Sequence, residues 1–221
     1  MAIARITSES SPAGEHAVND AEVRLRNAAI TLFAEKGYSE TSVREIIERA
    51  GVTRPVLYYY FENKEALFSR LVEAEFAEAC AEIDGILDTV SGCRDRLTAL
   101  VMRSFRRGQQ SPETVRMLVQ FFFAPPIEGL HLDKEKLGAE RFVRIVRIMR
   151  EGIDQGELAE SEPEFLALAF SGLMDIHIMA AIGNPEIALT EAQAARLVAL
   201  FFGGAMPFVE HTNTGSENSS S

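Results

Sequence analysis

The residues best equipped for chemistry at one place in this 221-residue chain are those of the segment RPVLYYYFENK, 54–64, with an arginine, three adjacent tyrosines and a lysine. An arginine can bond the guanine edge bidentately and a valine can touch a thymine methyl. Tyrosine hydroxyls and a lysine at a helix start suit phosphate oxygens. Leu57 and Phe61 lie four apart on one helical face, which leaves Arg54, Val56, Tyr58, Tyr59 and Tyr60 largely on the others. Such a helix is poorly made for a core and well made for the major groove of duplex DNA. Catalytic chemistry has little to stand on. His16, His131, His177 and His211 are scattered, and there is no HExxH, no CxxC pair, no glycine-rich phosphate loop and no GxSxG. No catalytic residue, metal site or cofactor is expected, and the chain does not read as an enzyme. Cys80 and Cys93 are too few and too far apart for a redox or metal motif and read as partly buried free thiols.

The elements that must position the 54–64 segment are compressed into residues 41–67, a short helix, a glycine turn and a second short helix. Ser42 with Glu45 fits a capping box, and Val43, Ile46, Ile47 and Ala50 recur at helical spacing up to Gly51. Thr53 can cap the second helix, and Pro55 suits its first turn, where a missing amide donor does no harm. Before them a helix over about 20–36 stops at Gly37. After them Asn63 caps a long fourth helix with an apolar stripe of Leu67, Leu71, Ala74, Phe76, Cys80, Ile83 and Leu87.

Residues 24–71, with LFAEKGYSETSV before the turn and AGVTRPVLYYYFENKEALF after it, resemble the amino-terminal DNA-binding domain of the TetR-type transcriptional regulators. The resemblance implies that Arg54, Pro55, Val56 and Tyr59 meet base edges. It places Ser42, Tyr58, Tyr60 and Lys64 against phosphates, with Arg44 reaching the groove from the second helix. It also implies a homodimer on a palindromic double-stranded DNA operator, repression, and a small-molecule effector held between helices four to eight.

Composition agrees with a regulator rather than a protein that coats nucleic acid. Against 33 Asp and Glu stand 22 Lys and Arg, a net charge of −11, whereas residues 20–65 hold seven basic and eight acidic residues, so the acidity lies in the rest. Residues 1–19 and 209–221 are rich in small and polar residues without periodicity and read as a disordered arm and tail. The amino terminus lacks a continuous apolar run, leaving the cytoplasm as the default compartment.

Residues 66–208 read as an all-helical body, giving about nine helices in all, with breaks at Ser91-Gly92 and Pro125-Pro126 and further capping boxes at Ser161–Glu164 and Thr190–Gln193. Over about 133–155 the residues Arg141, Arg144, Arg147 and Arg150 wind round the helix and read as a solvated face. Between Phe165 and Ile182 only Asp175 is charged, and apolar residues go all the way round. A transmembrane span is disfavoured by Ser171, Gly172, Asp175 and His177 in mid-segment and by acidic flanks. A helix of this kind must be covered on all sides, so helices eight and nine are expected to face a partner subunit. Phe76, Cys80, Met102, Phe105, Phe122, Met149, Met174 and His177 are the candidates to line an effector site for an apolar or aromatic molecule. The alternative is a helical protein-interaction module of the same fold without an effector.

Overall fold

The computed structural model describes residues 12–184, 186–187 and 189–205, with side chains from residue 20 onward. The described residues contain nine helices and no strand: α1 Pro12–Glu40, α2 Val43–Ala50, α3 Arg54–Tyr60, α4 Lys64–Thr89, α5 Cys93–Gln110, α6 Pro112–Phe123, α7 Lys134–Asp154, α8 Pro163–Gly183 and α9 Glu191–Ala205. The all-α architecture is therefore the expected one. α1 starts at Pro12, inside the stretch expected as a disordered arm, because a proline at a first helical position feeds directly into AGEHAV. The remainder of that arm, 1–11, and the tail from 206 lie outside the described residues.

Local chemistry explains most boundaries. Gly37 breaks α1 at φ 82°, and Gly51 ends α2 in the left-handed conformation at φ 62°, ψ 39°, which glycine adopts without a Cβ penalty. The Ser42–Glu45 capping box forms in both directions, and the Asn63 side chain accepts from the Ala66 amide at 2.7 Å. The expected box at Ser161–Glu164 does not form. Pro163 is the first helical residue, so the cap falls on Glu162, while Glu164 pairs with Arg150 at 3.3 Å. At Thr190 the hydroxyl accepts from the Gln193 amide at 3.2 Å.

Two apolar clusters organise the chain. The first joins Leu25, Ala29 and Phe33 of α1 to Ile46, Leu57, Phe61, Leu67, Phe68 and Leu71, and is completed by Met117 and Phe121 of α6. The second gathers Ile83, Ile86, Leu97, Val101, Phe105, Ile145, Met149, Phe170, Met174, Leu197 and Phe201 from α4, α5 and α7 to α9. The 26 residues of α4 run about 39 Å at 1.5 Å per residue, contributing Leu67 to Val72 to the first cluster and Cys80 to Leu87 to the body. Head and body thus share two elements, α4 by continuity and α6 by packing along α1. The Gln120 amide on α6 also donates to the Ala34 carbonyl at 3.2 Å.

α8 is not covered on all sides. Leu166, Ala167, Phe170, Met174 and Ile178 are buried, while Phe165, Leu168, Gly172 and Ile176 form an exposed stripe. On α9, Leu200 is 65% exposed beside Ala199 and Gly203. α8 is long and apolar enough to cross a membrane by length and composition, but the five buried residues of its inner face are bound into the body core.

Candidate nucleic-acid interface and ligand cavity

Helix α3 stands on Leu57, fully buried, and Phe61, 3% exposed. That anchoring turns Arg54, Pro55, Tyr58 and Tyr59 outward, Tyr59 to 74% exposure. The Arg54 guanidinium lies 5.9 Å from the centre of the Tyr58 ring, which holds the arginine at the helix start without using its hydrogen-bond donors. Val56 and Tyr60 are placed differently. Both pack against the head core, and Tyr60 meets Tyr59 edge-on at 4.9 Å. Burial, then Tyr59 and Glu22, push the Tyr60 phenol above its ordinary value. The exposed reading face is therefore narrower than periodicity alone suggests. In a seven-residue helix, flanking elements cover positions that would be free on a longer one.

The phosphate candidates also divide. Ser42 is exposed at the amino end of α2, its hydroxyl tied up with Glu45 at 2.7 Å. Arg44 is exposed and paired with Glu48 at 2.7 Å in an i,i+4 arrangement that contributes little when solvated. Lys64 does structural work as well. Its ammonium donates to the carbonyls of Tyr38 at 2.9 Å and Thr41 at 2.8 Å, and sits 4.2 Å over the Tyr38 ring. Burial holds its pKa below the usual lysine value. Arg24 is a head residue that motif reading missed. From α1 it donates to the Ala50 carbonyl at 3.2 Å, pinning the turn between α2 and α3. Nothing in its local sequence distinguishes it from an ordinary exposed helix arginine.

In the body, α4 to α8 line an open-mouthed cavity of about 280 Å³. Phe76, Ala79 and Ile83 form its α4 wall. Leu118, Val119 and Phe122 close it from α6, and Phe142 and Ile145 from α7. Phe76 and Phe122 meet at 4.7 Å. The polar lining lies in two groups. On α4 and α5, Arg107 bonds Glu75 and reaches Glu82 at 3.5 Å. Burial pushes the Glu75 carboxyl above its ordinary value, with Arg107 opposing it. On α7 and α8, Arg141 meets Asp175 at 3.4 Å, and Ser171 stands one turn before Asp175. The Ser171 hydroxyl is buried without a hydrogen-bond partner. Such a group costs about 1–3 kcal/mol relative to a satisfied one.

Of the eight residues expected at an effector site, Phe76 and Phe122 line this cavity. Phe105, Met149 and Met174 are buried in the body core and Met102 packs against it, Cys80 is buried on α4 away from the cavity lining, and the His177 ring bonds the Leu173 carbonyl at 2.6 Å within α8. Cys80 and Cys93 are buried free thiols. Arg144, Arg147 and Arg150 pair at or near the surface with Asp84, Glu151 and Glu164, but Arg141 turns inward against the expectation of a solvated face. Its reason is tertiary, since Asp175 of α8 supplies a partner that the α7 sequence does not show. No group of three or more metal-ligating side chains occurs among the described residues.

The arrangement defines an all-helical, two-part helix-turn-helix protein whose body holds a ligand-sized space between the helices that contact the head. Residues 25–71 match the family described as bacterial regulatory proteins, tetR family. Among its relatives, an uncharacterized HTH-type transcriptional regulator, YfiR, of Bacillus subtilis (strain 168) is 27% identical over 154 residues, 64% of this chain and 70% of YfiR. The HTH-type transcriptional repressor KstR2 of Mycolicibacterium smegmatis is 33% identical over 81 residues, 37% of this chain and 40% of KstR2. In fold the chain is similar to the transcriptional regulator FadR of Bacillus subtilis solved with stearoyl-CoA. The TM-score is 0.73 at 19% identity, covering 82% of this chain and 98% of FadR.

Proposed function

We propose that the chain is a dimeric, ligand-responsive transcriptional repressor that reads a palindromic operator with α2 and α3 and is released by a small, mainly apolar molecule bound between α4 and α8. One observation carries the reading. The cavity walls include α4, which begins at the reading unit, and α6, whose Leu118 and Phe122 line the cavity while their neighbours Met117 and Phe121 complete the head core. A ligand that prefers a different spacing of those helices therefore changes the pose of α3, and by linkage DNA must weaken ligand binding by the same factor.

Arg54 and Tyr59 are assigned to base edges, with Pro55 and the half-buried Val56 shaping the approach. Ser42, Arg44, Tyr58, Tyr60 and Lys64 are assigned to phosphates. The exposed stripes of α8 and α9 are assigned to the dimer, whose rigidity sets the roughly 34 Å between recognition helices required for successive major grooves. In that dimer the second subunit covers the apolar stripe of α8, which fits a soluble protein, and the DNA-binding role assigns it to the cytoplasm. Homology to KstR2 supports repression, and the stearoyl-CoA complex of the similarly folded FadR supports response to a bound organic molecule.

Selection from random duplex DNA tests the reading. It should return an inverted repeat, and recovery of no enriched sequence would remove the DNA-binding assignment. Leu200→Arg should give monomer or aggregate in sedimentation where the native chain is a dimer. A native monomer at micromolar concentration would remove the α8 and α9 assignment.

A further inference from the structure

The cavity described above carries a charge arrangement that selects among ligands. Its lining holds three carboxylates, Glu75, Glu82 and Asp175, and two guanidiniums, Arg107 and Arg141. Arg107 is committed to the glutamates of α4, with Glu78 as a further partner at 3.1 Å. The α7–α8 wall is less committed. Arg141 makes a single long contact, 3.4 Å, to Asp175, leaving most of its five donors and one Asp175 oxygen unused among the described partners. Ser171 lies four residues before Asp175 on the same helical face, with its hydroxyl buried and unpartnered. One rotamer step about its Cα–Cβ bond redirects that hydroxyl along the wall.

We propose that the cavity takes an uncharged, compact, mainly apolar molecule bearing one hydroxyl group, read by Asp175, Arg141 and Ser171 at the α7–α8 wall. This rests on the effector reading above and specifies the ligand's chemical class. Arg141 and Asp175 are so close that an ion meeting one of them meets the other. A carboxylate attracted by Arg141 is held against Asp175, and an ammonium attracted by Asp175 is held against Arg141. The pair is only partly exposed, so that repulsion is less screened than at an open surface. A hydroxyl uses both signs, donating to Asp175 while accepting from Arg141 or Ser171. The rest of the molecule meets Phe76, Phe122 and Phe142, which favour a ring or a short branched frame. A volume of about 280 Å³ sits at the lower edge of the roughly 300–1,000 Å³ of small-molecule sites, which favours a compact frame over a long chain.

Calorimetry on the full-length protein without DNA, at pH 7, tests this with matched sets on three frames, 2-naphthyl, 2-decalyl and 4-butylphenyl. Each frame carries in turn a hydroxyl, a carboxylate, an aminomethyl group or hydrogen. The expected result is that, on at least one frame, the alcohol binds tenfold or more tightly than both ions and the hydrocarbon. Ser171→Ala should lower the alcohol's affinity and leave the hydrocarbon's unchanged. Asp175→Ala should reverse the order so that the carboxylate binds best, because Arg141 is then uncompensated. A merely structural role for Asp175 would weaken all members alike. Native preference for the carboxylate or the ammonium, equal binding of alcohol and hydrocarbon, or no binding on any frame overturns the proposal. None of those results touches the effector reading, which fails separately if a ligand filling the cavity leaves operator affinity unchanged.

Discussion

Head and body are built from the same kinds of side chain, and aromatic rings meet closely in both, but those of the body also line a cavity. In the head, Phe33, Tyr38, Phe68 and Phe121 lock together with ring centres 5.0 to 5.9 Å apart, and Phe68 touches the other three. In the body, Phe76, Phe122 and Phe142 stand around a space of about 280 Å³. Close packing makes a rigid platform whose outward residues hold a fixed geometry, as a surface that reads base edges requires. Incomplete packing leaves walls that can move relative to one another, as a responsive site requires. α6 belongs to both regimes, with Phe121 in the head core and Phe122 in the cavity wall.

Truncating one aromatic of each kind breaks the comparison most sharply. Phe68→Ala in the head removes a side chain that is 2% exposed and should lower stability by about 3–5 kcal/mol. Phe122→Ala removes a half-buried ring beside existing space and should fall below that range, at roughly 1–3 kcal/mol. Urea unfolding of both variants measures the difference, and equal losses would show that the cavity wall is packed as firmly as the head.

Function should divide along the same line with a smaller energy. Arg54→Ala should cost about 1–3 kcal/mol of operator affinity and relax specificity at one base pair of each half-site, because arginine's bidentate contact carries sequence information. Its melting temperature should stay native, since Arg54 is exposed and stacks only on Tyr58. Lys64→Ala should differ on both counts. It should weaken all duplexes alike and also lower stability, because the carbonyls of Tyr38 and Thr41 lose their donor. Competition binding against random duplex separates the two, and wild-type behaviour of Arg54→Ala on both duplexes would contradict the base-edge assignment.

The head was the more legible half because its elements depend on particular residues at fixed spacings. The capping box at Ser42, the left-handed glycine at 51 and the Asn63 cap each require a side chain or its absence, and each is present where the sequence implies. The cavity depends instead on where inward faces fail to meet. Helical periodicity marks Met149 and Met174 as inward but not whether they meet side chains or space, and both are fully buried in the core. Arg141 and Asp175 lie 34 residues apart on two different helices, so their pairing has no local signature. Even in the head, covering of Val56 and Tyr60 by neighbouring elements could not be read from α3 alone.

A pH experiment sharpens the picture at a partly exposed joint of the head, with the smallest effect. Lys36 first, and then Ser42, hold the Glu45 carboxyl down at about 2 against an ordinary 4.5. A carboxyl lowered on folding stabilises the fold above its unfolded value, and that contribution is lost as pH falls from about 4.5 toward 2. Glu45→Gln should therefore flatten the pH dependence of the unfolding midpoint in that window and lower the midpoint slightly near neutrality. An unchanged profile would show that the Lys36 and Ser42 contacts do not persist in solution.

The central claim is that the cavity and the reading helix are coupled, and it is tested by operator affinity with and without a ligand shown by calorimetry to fill the cavity, in the native chain and in Phe122→Trp. The account predicts that saturating ligand weakens the operator complex of the native chain by roughly 5–150-fold, the usual span of a coupling free energy. It also predicts that Phe122→Trp, its cavity narrowed, binds the operator as the native chain does and no longer responds. An operator dissociation constant unchanged by saturating ligand in the native chain would contradict it and leave α4 and α6 as struts.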